Sequence, residues 1–298
     1  MRTTTIEVAG SRLRVIEDGA GPESVLFVHG VGGWAENWTE TIERVAASGR
    51  RAVAFDLPGF GESTRVRDAR YFDPRDPFYP EVVAGLRLAL DLGRTHLVGH
   101  SLGGAVSAIT SVVHPEPWRS LTLVAPGGFG QDVPAVLRVL SLPFLGLAAW
   151  LPRPAAAGRL VLESCFYDRS RVPAHLYTEN ARYRFTYPET LRVMRAVATI
   201  RGVRAPLREA WLARAGERRD PVLVVWGRED AILPASHREA LQRTYPDAEI
   251  QVIERAGHLV MAEQPDAFAA TLIAFLERVE RAEGGARTMV SGVAHQER

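Results

Sequence analysis

The sequence predicts an α/β protein: a mostly parallel sheet with helices on both faces, plus an inserted helical cap. Three observations carry this. Short apolar runs recur along the chain, as strands buried on both faces require. Segments with apolar residues at helical spacing separate them, and alternation of strand with helix builds a parallel sheet. One long stretch without an obvious strand interrupts the alternation.

The chain opens on a hairpin. Thr3–Val8 alternates, Ala9-Gly10-Ser11 turns, and Arg12–Ile16 alternates again. Ser24–Val28 ends in His29-Gly30, and Ala52–Phe55 ends in Asp56. Leu97-Val98-Gly99, Leu121–Val124, Val222–Trp226 and Glu249–Ile253 complete the expected strands. Helical patterns lie between them. Trp38–Ala47 has Ile42, Val45 and Ala46 on one face. Glu81–Leu92 follows Pro80, a good first-turn residue. Gly104–Val113 and Ser236–Tyr245 also fit, and Pro265–Glu283 carries a stripe of Phe268, Leu272, Phe275, Leu276 and Val279. Residues 1–126 and 206–283 are thus expected to form the core. Residues 127–205, broken by six prolines, are read as a helical cap over the sheet's carboxyl edge. The Gly-rich, polar stretch 284–298 reads as a disordered tail.

Composition narrows the function classes. The 298 residues suit one α/β domain with an insertion, and 46% hydrophobic with 24% charged is ordinary for a globular chain. A net charge of +1 makes no case for nucleic acid or an acidic partner. Cys165 is the only cysteine, so no disulfide framework is possible within the chain. The first residues show no signal-peptide pattern, and a cytoplasmic enzyme is the expectation. Residues 133–151 are apolar over nearly a membrane span. Arg138, Pro134 and Pro143 argue for a buried or lid segment instead, and membrane contact is the lesser reading.

Chemistry enters at Gly99-His100-Ser101-Leu102-Gly103, a G-x-S-x-G between an apolar run and a helical pattern. That strand–turn–helix setting is what a nucleophile elbow needs. The serine is lifted above the sheet on a tight turn, and the helix N-terminus lends positive potential to a developing oxyanion. The simpler alternative is a glycine-rich turn with Ser101 as helix cap. A tetrahedral oxyanion needs two preorganised N–H donors. Leu102 supplies one, and Val31, in the loop His29-Gly30-Val31-Gly32-Gly33, is read as the other.

A serine hydroxyl needs a base. Of eight histidines, His258 stands in a loop between the last strand and the last helix, where sites form in parallel sheets. His29 reads as a structural residue of its loop. His96 is at the wrong end of its strand, and His100 adjoins Ser101 and would point elsewhere. His114, His175 and His237 lie on or beside helices, and His295 is in the tail. The acid that orients the base is Asp230, after the strand VLVVWG. Glu229 is its rival, and Asp56 reads as a turn stabiliser. No His or carboxylate spacing suggests a metal, and this chemistry needs no cofactor.

The motifs HGVGG (29–33), DLPGFGES (56–63), GHSLGG (99–104), GREDAILP (227–234) and AGHLVMAEQP (256–265) together resemble the α/β-hydrolase superfamily, in its serine-nucleophile branch with a helical cap. The resemblance spans about residues 6–280. It implies acyl transfer by Ser101, His258 and Asp230, that chain order being the one this fold uses. Relatives with Asp at the elbow open epoxides or displace halide, and Ser101 argues against both. Esterase or lipase, lactonase, thioesterase, perhydrolase and C–C bond hydrolase chemistries stay open. LVAPGGFG (123–130) resembles both the C–C hydrolases and the monoacylglycerol-type lipases. HGVGGWAENW (29–38) is closer to the lipase and esterase pattern than to the Gly-Pro-Gly loop of the C–C hydrolases. The leading expectation is cleavage of a small ester with an apolar acyl or alcohol group. The alternatives are C–C bond hydrolysis and a non-catalytic receptor for a small ligand. Leu137, Leu140, Leu142, Phe144, Leu145, Leu147 and Trp150 are candidates to face the substrate or to pack the cap.

Overall fold

The computed structural model describes residues 1–73, 75, 77–115, 118–130, 138, 142, 155–199, 201–204, 207, 209, 212–218, 220–233 and 235–293. The strands, in chain order, are β1 Arg2–Val8, β2 Ser11–Asp18, β3 Ser24–Val28, β4 Arg51–Phe55, β5 Thr95–His100, β6 Trp118–Val124, β7 Ala198–Thr199, β8 Gly202–Val203, β9 Val222–Gly227 and β10 Glu249–Ile253. Eight of them form one sheet in the order β1-β2-β4-β3-β5-β6-β9-β10. The β1–β2 and β2–β4 pairs are antiparallel, and every other pair is parallel.

Burial follows position in the sheet. The central strands β3, β5, β6 and β9 are buried throughout, which explains the apolar runs VLFV in β3 and VLVVWG in β9. The edge strands β1 and β10 alternate with solvent. Two apolar layers result. On one face α2 (Phe78–Ala89) and α3 (Leu102–Val113) pack Val82, Leu86, Val106 and Ile109 over the sheet. On the other, α1 (Thr39–Ala47) and the last helix bring Ile42, Val45, Phe268, Leu272 and Phe275. Each such side chain contributes about 1.5–3 kcal/mol by leaving water.

Between β6 and β9 the described residues form α4 (Ala155–Ser164), α5 (Ala174–Arg182) and α6 (Tyr187–Val197). Leu162, Phe166, Leu176 and Tyr183 from this insert join the layer of α1 and the last helix. The insert also holds a small antiparallel hairpin, β7–β8, where the sequence suggested no strand. Its two-residue strands are too short to show a period, and Gly202 at φ +110° supplies the turn. The proposed substrate-facing run 133–151 lies outside the described residues apart from Arg138 and Leu142.

After β9 come α7 (Ala235–Thr244), β10 and α8 (Pro265–Val293). Helix α8 extends to Val293, so residues 284–293 are helical where the sequence suggested a disordered tail; residues 294–298 lie outside the described set. After Pro265 no proline interrupts this segment, and a helix nucleated on the core propagates through a polar stretch at little cost. No helix among the described residues is long and apolar enough to cross a membrane.

Candidate active site

Parallel register brings the carboxyl ends of four strands to one edge. Val28 pairs with Gly99, Gly99 with Leu123, and Ile253 with Gly227. The loops leaving β3, β5, β9 and β10 carry Val31, Ser101, Asp230 and His258, so residues distant in sequence converge there.

Ser101 sits between β5 and α3 with φ +52° and ψ −116°. A residue with a Cβ rarely adopts that conformation, and the surroundings hold it there. Its N–H donates to the Val124 carbonyl at 2.9 Å, and its own carbonyl accepts from Gly127 at 3.0 Å. The flanking glycines let helix and strand meet. A Cβ on Gly99 would lie 2.3 Å from the Gly103 carbonyl oxygen, and one on Gly103 would lie 2.2 Å from that of Val28. Among the described residues, neither the Leu102 nor the Val31 N–H is taken up by a protein acceptor. Val31 lines the same cavity as Ser101, while Leu102 lies buried at the start of α3.

His258 Nδ1 donates to Asp230 Oδ2 at 2.8 Å. Asp230 Oδ1 accepts from the N–H groups of Ile232 at 2.8 Å and Leu233 at 2.9 Å. Burial pushes this carboxyl up, but the opposing pull of His258 and these donors leaves it below the usual carboxylate range. Glu229 is engaged elsewhere, accepting from the Ala256 N–H at 2.9 Å. Ser101 and His258 both wall one cavity of about 270 Å³, with no direct hydrogen bond between the hydroxyl and the imidazole. In unliganded sites such bonds are often long and close only around a substrate.

The other histidines have structural partners. His29 Nε2 accepts from the Leu57 N–H at 2.9 Å, while Nδ1 donates to the Gly30 carbonyl at 2.7 Å. Complete burial lowers its pKa to about 4, so it is a neutral brace of the Val31 loop. His100 Nε2 donates to the His258 carbonyl at 3.0 Å, and the two rings lie 4.7 Å apart. Burial first, then the neighbouring His258, holds its pKa well below the usual value. His96 bonds Ser120 at 2.7 Å, and His114 bonds Glu81 at 3.0 Å. His175 lies 3.7 Å from Glu40, and His237 accepts from the Gly130 N–H at 3.2 Å. His295 lies outside the described residues. Asp56 caps its turn, taking the N–H groups of Ala35 at 2.8 Å and Glu62 at 2.9 Å.

Sequence reasoning missed Glu263. Its buried carboxylate accepts backbone N–H groups from Gly257, Tyr167 and Asp168, next to His258 and in the insert. The available signal was a charged residue closing the otherwise apolar turn Val260–Glu263. Among the described residues, Glu23, His96 and Glu280 have donor atoms within 4.8 Å of one another, as a metal would require. That group faces away from the cavity, and arginines already neutralise it: Arg50 holds Glu280 and Arg119 holds Glu23.

Residues 23–265 match the family model described as alpha/beta hydrolase fold. The chain belongs to the α/β-hydrolase fold family. A Pseudomonas putida relative, the dihydrolipoyllysine-residue acetyltransferase component of an acetoin cleaving system, is 33% identical over 91% of this chain and 68% of its own. A 2-hydroxy-6-oxo-6-phenylhexa-2,4-dienoate hydrolase of Burkholderia cepacia is 30% identical over 89% of this chain and 91% of its own. Among solved structures, a membrane phospholipase A superposes with a TM-score of 0.74 at 25% identity, covering 94% of this chain and 86% of that one. The chain is therefore a hydrolase-fold protein whose relatives include hydrolases of small molecules.

Proposed function

We propose that the protein is a serine hydrolase that cleaves a carboxylic ester with an apolar acyl or alcohol group. The observation that carries this reading is a buried His258, hydrogen-bonded to Asp230 behind it, that walls the same cavity as a serine on a strained strand-to-helix turn. A structural serine would have no need of that turn.

Ser101 attacks the ester carbonyl as His258 takes its proton, and Asp230 holds the imidazole in the tautomer that can accept it. The N–H groups of Leu102 and Val31 stabilise the tetrahedral oxyanion. His258 then protonates the departing alcohol, and water repeats the cycle on the acyl-enzyme. The insert acts as a cap. Its Val161, Leu162, Tyr183 and Met194 supply apolar wall to the cavity, which is why the substrate group it holds is apolar. Asn180 and Arg184 bring polar groups to the same wall. The volume of about 270 Å³ is near the lower end of ligand pockets, about 300–1,000 Å³, and suits a short or medium chain.

The test is a fluorophosphonate probe together with p-nitrophenyl esters of graded chain length. Labelling at Ser101, with turnover abolished by Ser101→Ala, is expected. Absence of both labelling and ester turnover would sink the reading.

The Burkholderia relative favours a second reading, C–C bond hydrolysis of a ring-cleavage product. A dienoate substrate cleaved faster than every ester in the panel would replace the first reading with this one.

A further inference from the structure

Four backbone groups around His258 are each held by a different anchor. Ala256 N–H donates to Glu229, Gly257 N–H to Glu263, and Leu259 N–H to the Cys165 carbonyl at 3.1 Å, while the His258 carbonyl accepts from His100. Two of these anchors belong to the sheet side. The other two lead into the insert.

Glu263 makes the larger connection. Its Oε2 accepts from Gly257 at 2.7 Å and from Tyr167 at 3.0 Å, and its Oε1 accepts from Asp168 at 2.7 Å. One carboxylate thus ties the residue before His258 to the segment that follows α4. The fit is close: a Cβ on Gly257 would lie 2.6 Å from the Cys165 carbonyl oxygen and 2.8 Å from the Tyr167 nitrogen. Ser164 and Cys165, where α4 meets this segment, also line the cavity. A molecule filling the cavity therefore presses on the same piece of chain that positions His258.

We propose that Glu263 is a positioning residue that couples the insert to the proposed base, so that seating of the acyl or alcohol group against α4 sets the His258 imidazole. The inference rests on the hydrolase reading for its kinetic consequence, and on geometry alone for the coupling. A buried carboxylate with three backbone donors is well suited to this. Each charge-assisted bond is short and directional, and a neutral replacement cannot accept all three. In Glu263→Gln an amide N–H₂ replaces one oxygen: in place of Oε1 it faces the Asp168 N–H, in place of Oε2 it faces those of Gly257 and Tyr167, and the three-way clamp is broken either way.

The test joins hydrogen–deuterium exchange with kinetics on the full chain. In Glu263→Gln, exchange is expected to rise together in peptides covering 165–168 and 256–259, with the central strands unchanged. Ester turnover should fall about 10–100-fold in kcat, the range for a misplaced catalytic group, with KM moving less than about threefold. Glu229→Ala is the control, since removing the acceptor frees Ala256 on the sheet side only. It should loosen 256–259 and leave 165–168 protected. If Glu263→Gln does not fold, Glu263→Asp keeps the charge but falls one methylene short of spanning both segments, and the same pattern is expected. Loosening confined to 165–168 with kcat unchanged would overturn the coupling. So would loosening of both segments with an unchanged kcat. The exchange arm needs no turnover, so an inactive wild type would remove the hydrolase reading while leaving the coupling to be judged on exchange.

Discussion

Asp230 and Glu229 are adjacent carboxylates, both near the end of β9, and their environments separate them. Asp230 takes the imidazole and two loop N–H groups, while Glu229 turns to the Ala256 N–H. In the proposed mechanism the first arrangement fixes a tautomer and stabilises the charge that forms on His258, while the second holds a loop. Asp230→Asn is therefore expected to lower kcat for an activated ester by about 10³–10⁴, the cost of presenting the wrong imidazole tautomer. Glu229→Gln should cost less than about tenfold. Steady-state hydrolysis by the two purified variants decides this, and the reverse order would move the acid to Glu229. Ser101 shows the same dependence on surroundings. Its backbone is costly for any residue with a Cβ, and the bonds to Val124 and Gly127 keep it there.

At the level of elements, the turn works because α3 can lie almost on top of the strands. Gly103 sits in the first turn of that helix, and a Cβ there would be 2.2 Å from the Val28 carbonyl oxygen and 2.5 Å from that of His29. Backbone cannot yield as a side-chain end can. Gly103→Ala should destabilise the fold by about 3 kcal/mol or more, the upper range of overpacking. Gly93→Ala is the contrast. It has positive φ but nothing within 4 Å, so only the left-handed backbone penalty of about 1–2 kcal/mol applies. Urea denaturation of the two variants measures the difference, and equal losses would mean that helix and strand do not approach so closely. The same approach sets Leu102 at the helix start, so packing of this element and chemistry of the site have one cause.

Across the whole molecule, α8 closes the sheet from below the site. Glu280 on α8 receives Arg50 Nε at 2.9 Å and Nη2 at 2.7 Å, and His96 Nε2 lies 3.3 Å away. Burial raises this carboxyl, but His96 and Arg50 outweigh it and bring the pKa down to about 2. A carboxyl depressed on folding stabilises the fold at pH above its unfolded value of 4.5, and that contribution is lost as pH falls toward 2. Glu280→Gln should thus be less stable than wild type by about 2 kcal/mol at pH 7. The gap should narrow steadily below about pH 4.5. Denaturant titrations of both proteins from pH 7 to pH 3 test this, and a gap independent of pH would show that the carboxylate's charge is not what holds α8.

Much of this arrangement was written locally. Runs such as VLFV and VLVVWG are apolar without interruption because the strands they form are covered on both faces. The G-x-S-x-G turn, the His258 loop and the Asp230 loop each announce themselves within about ten residues. What the sequence by itself determined was therefore the element types, the family and the residues that end up at the strands' carboxyl edge. Tertiary structure alone decided how they meet. It set the order β4-β3-β5, gave Glu229 the Ala256 N–H as its partner, turned His100 toward the His258 carbonyl, and ran the last helix on to Val293. It also joined Glu263 to Asp168 across 95 residues of chain. The physical reason is range. Periodicity and turn chemistry act between near neighbours, whereas the partner of a buried polar group depends on which distant backbone donors the packed layers bring within hydrogen-bonding distance.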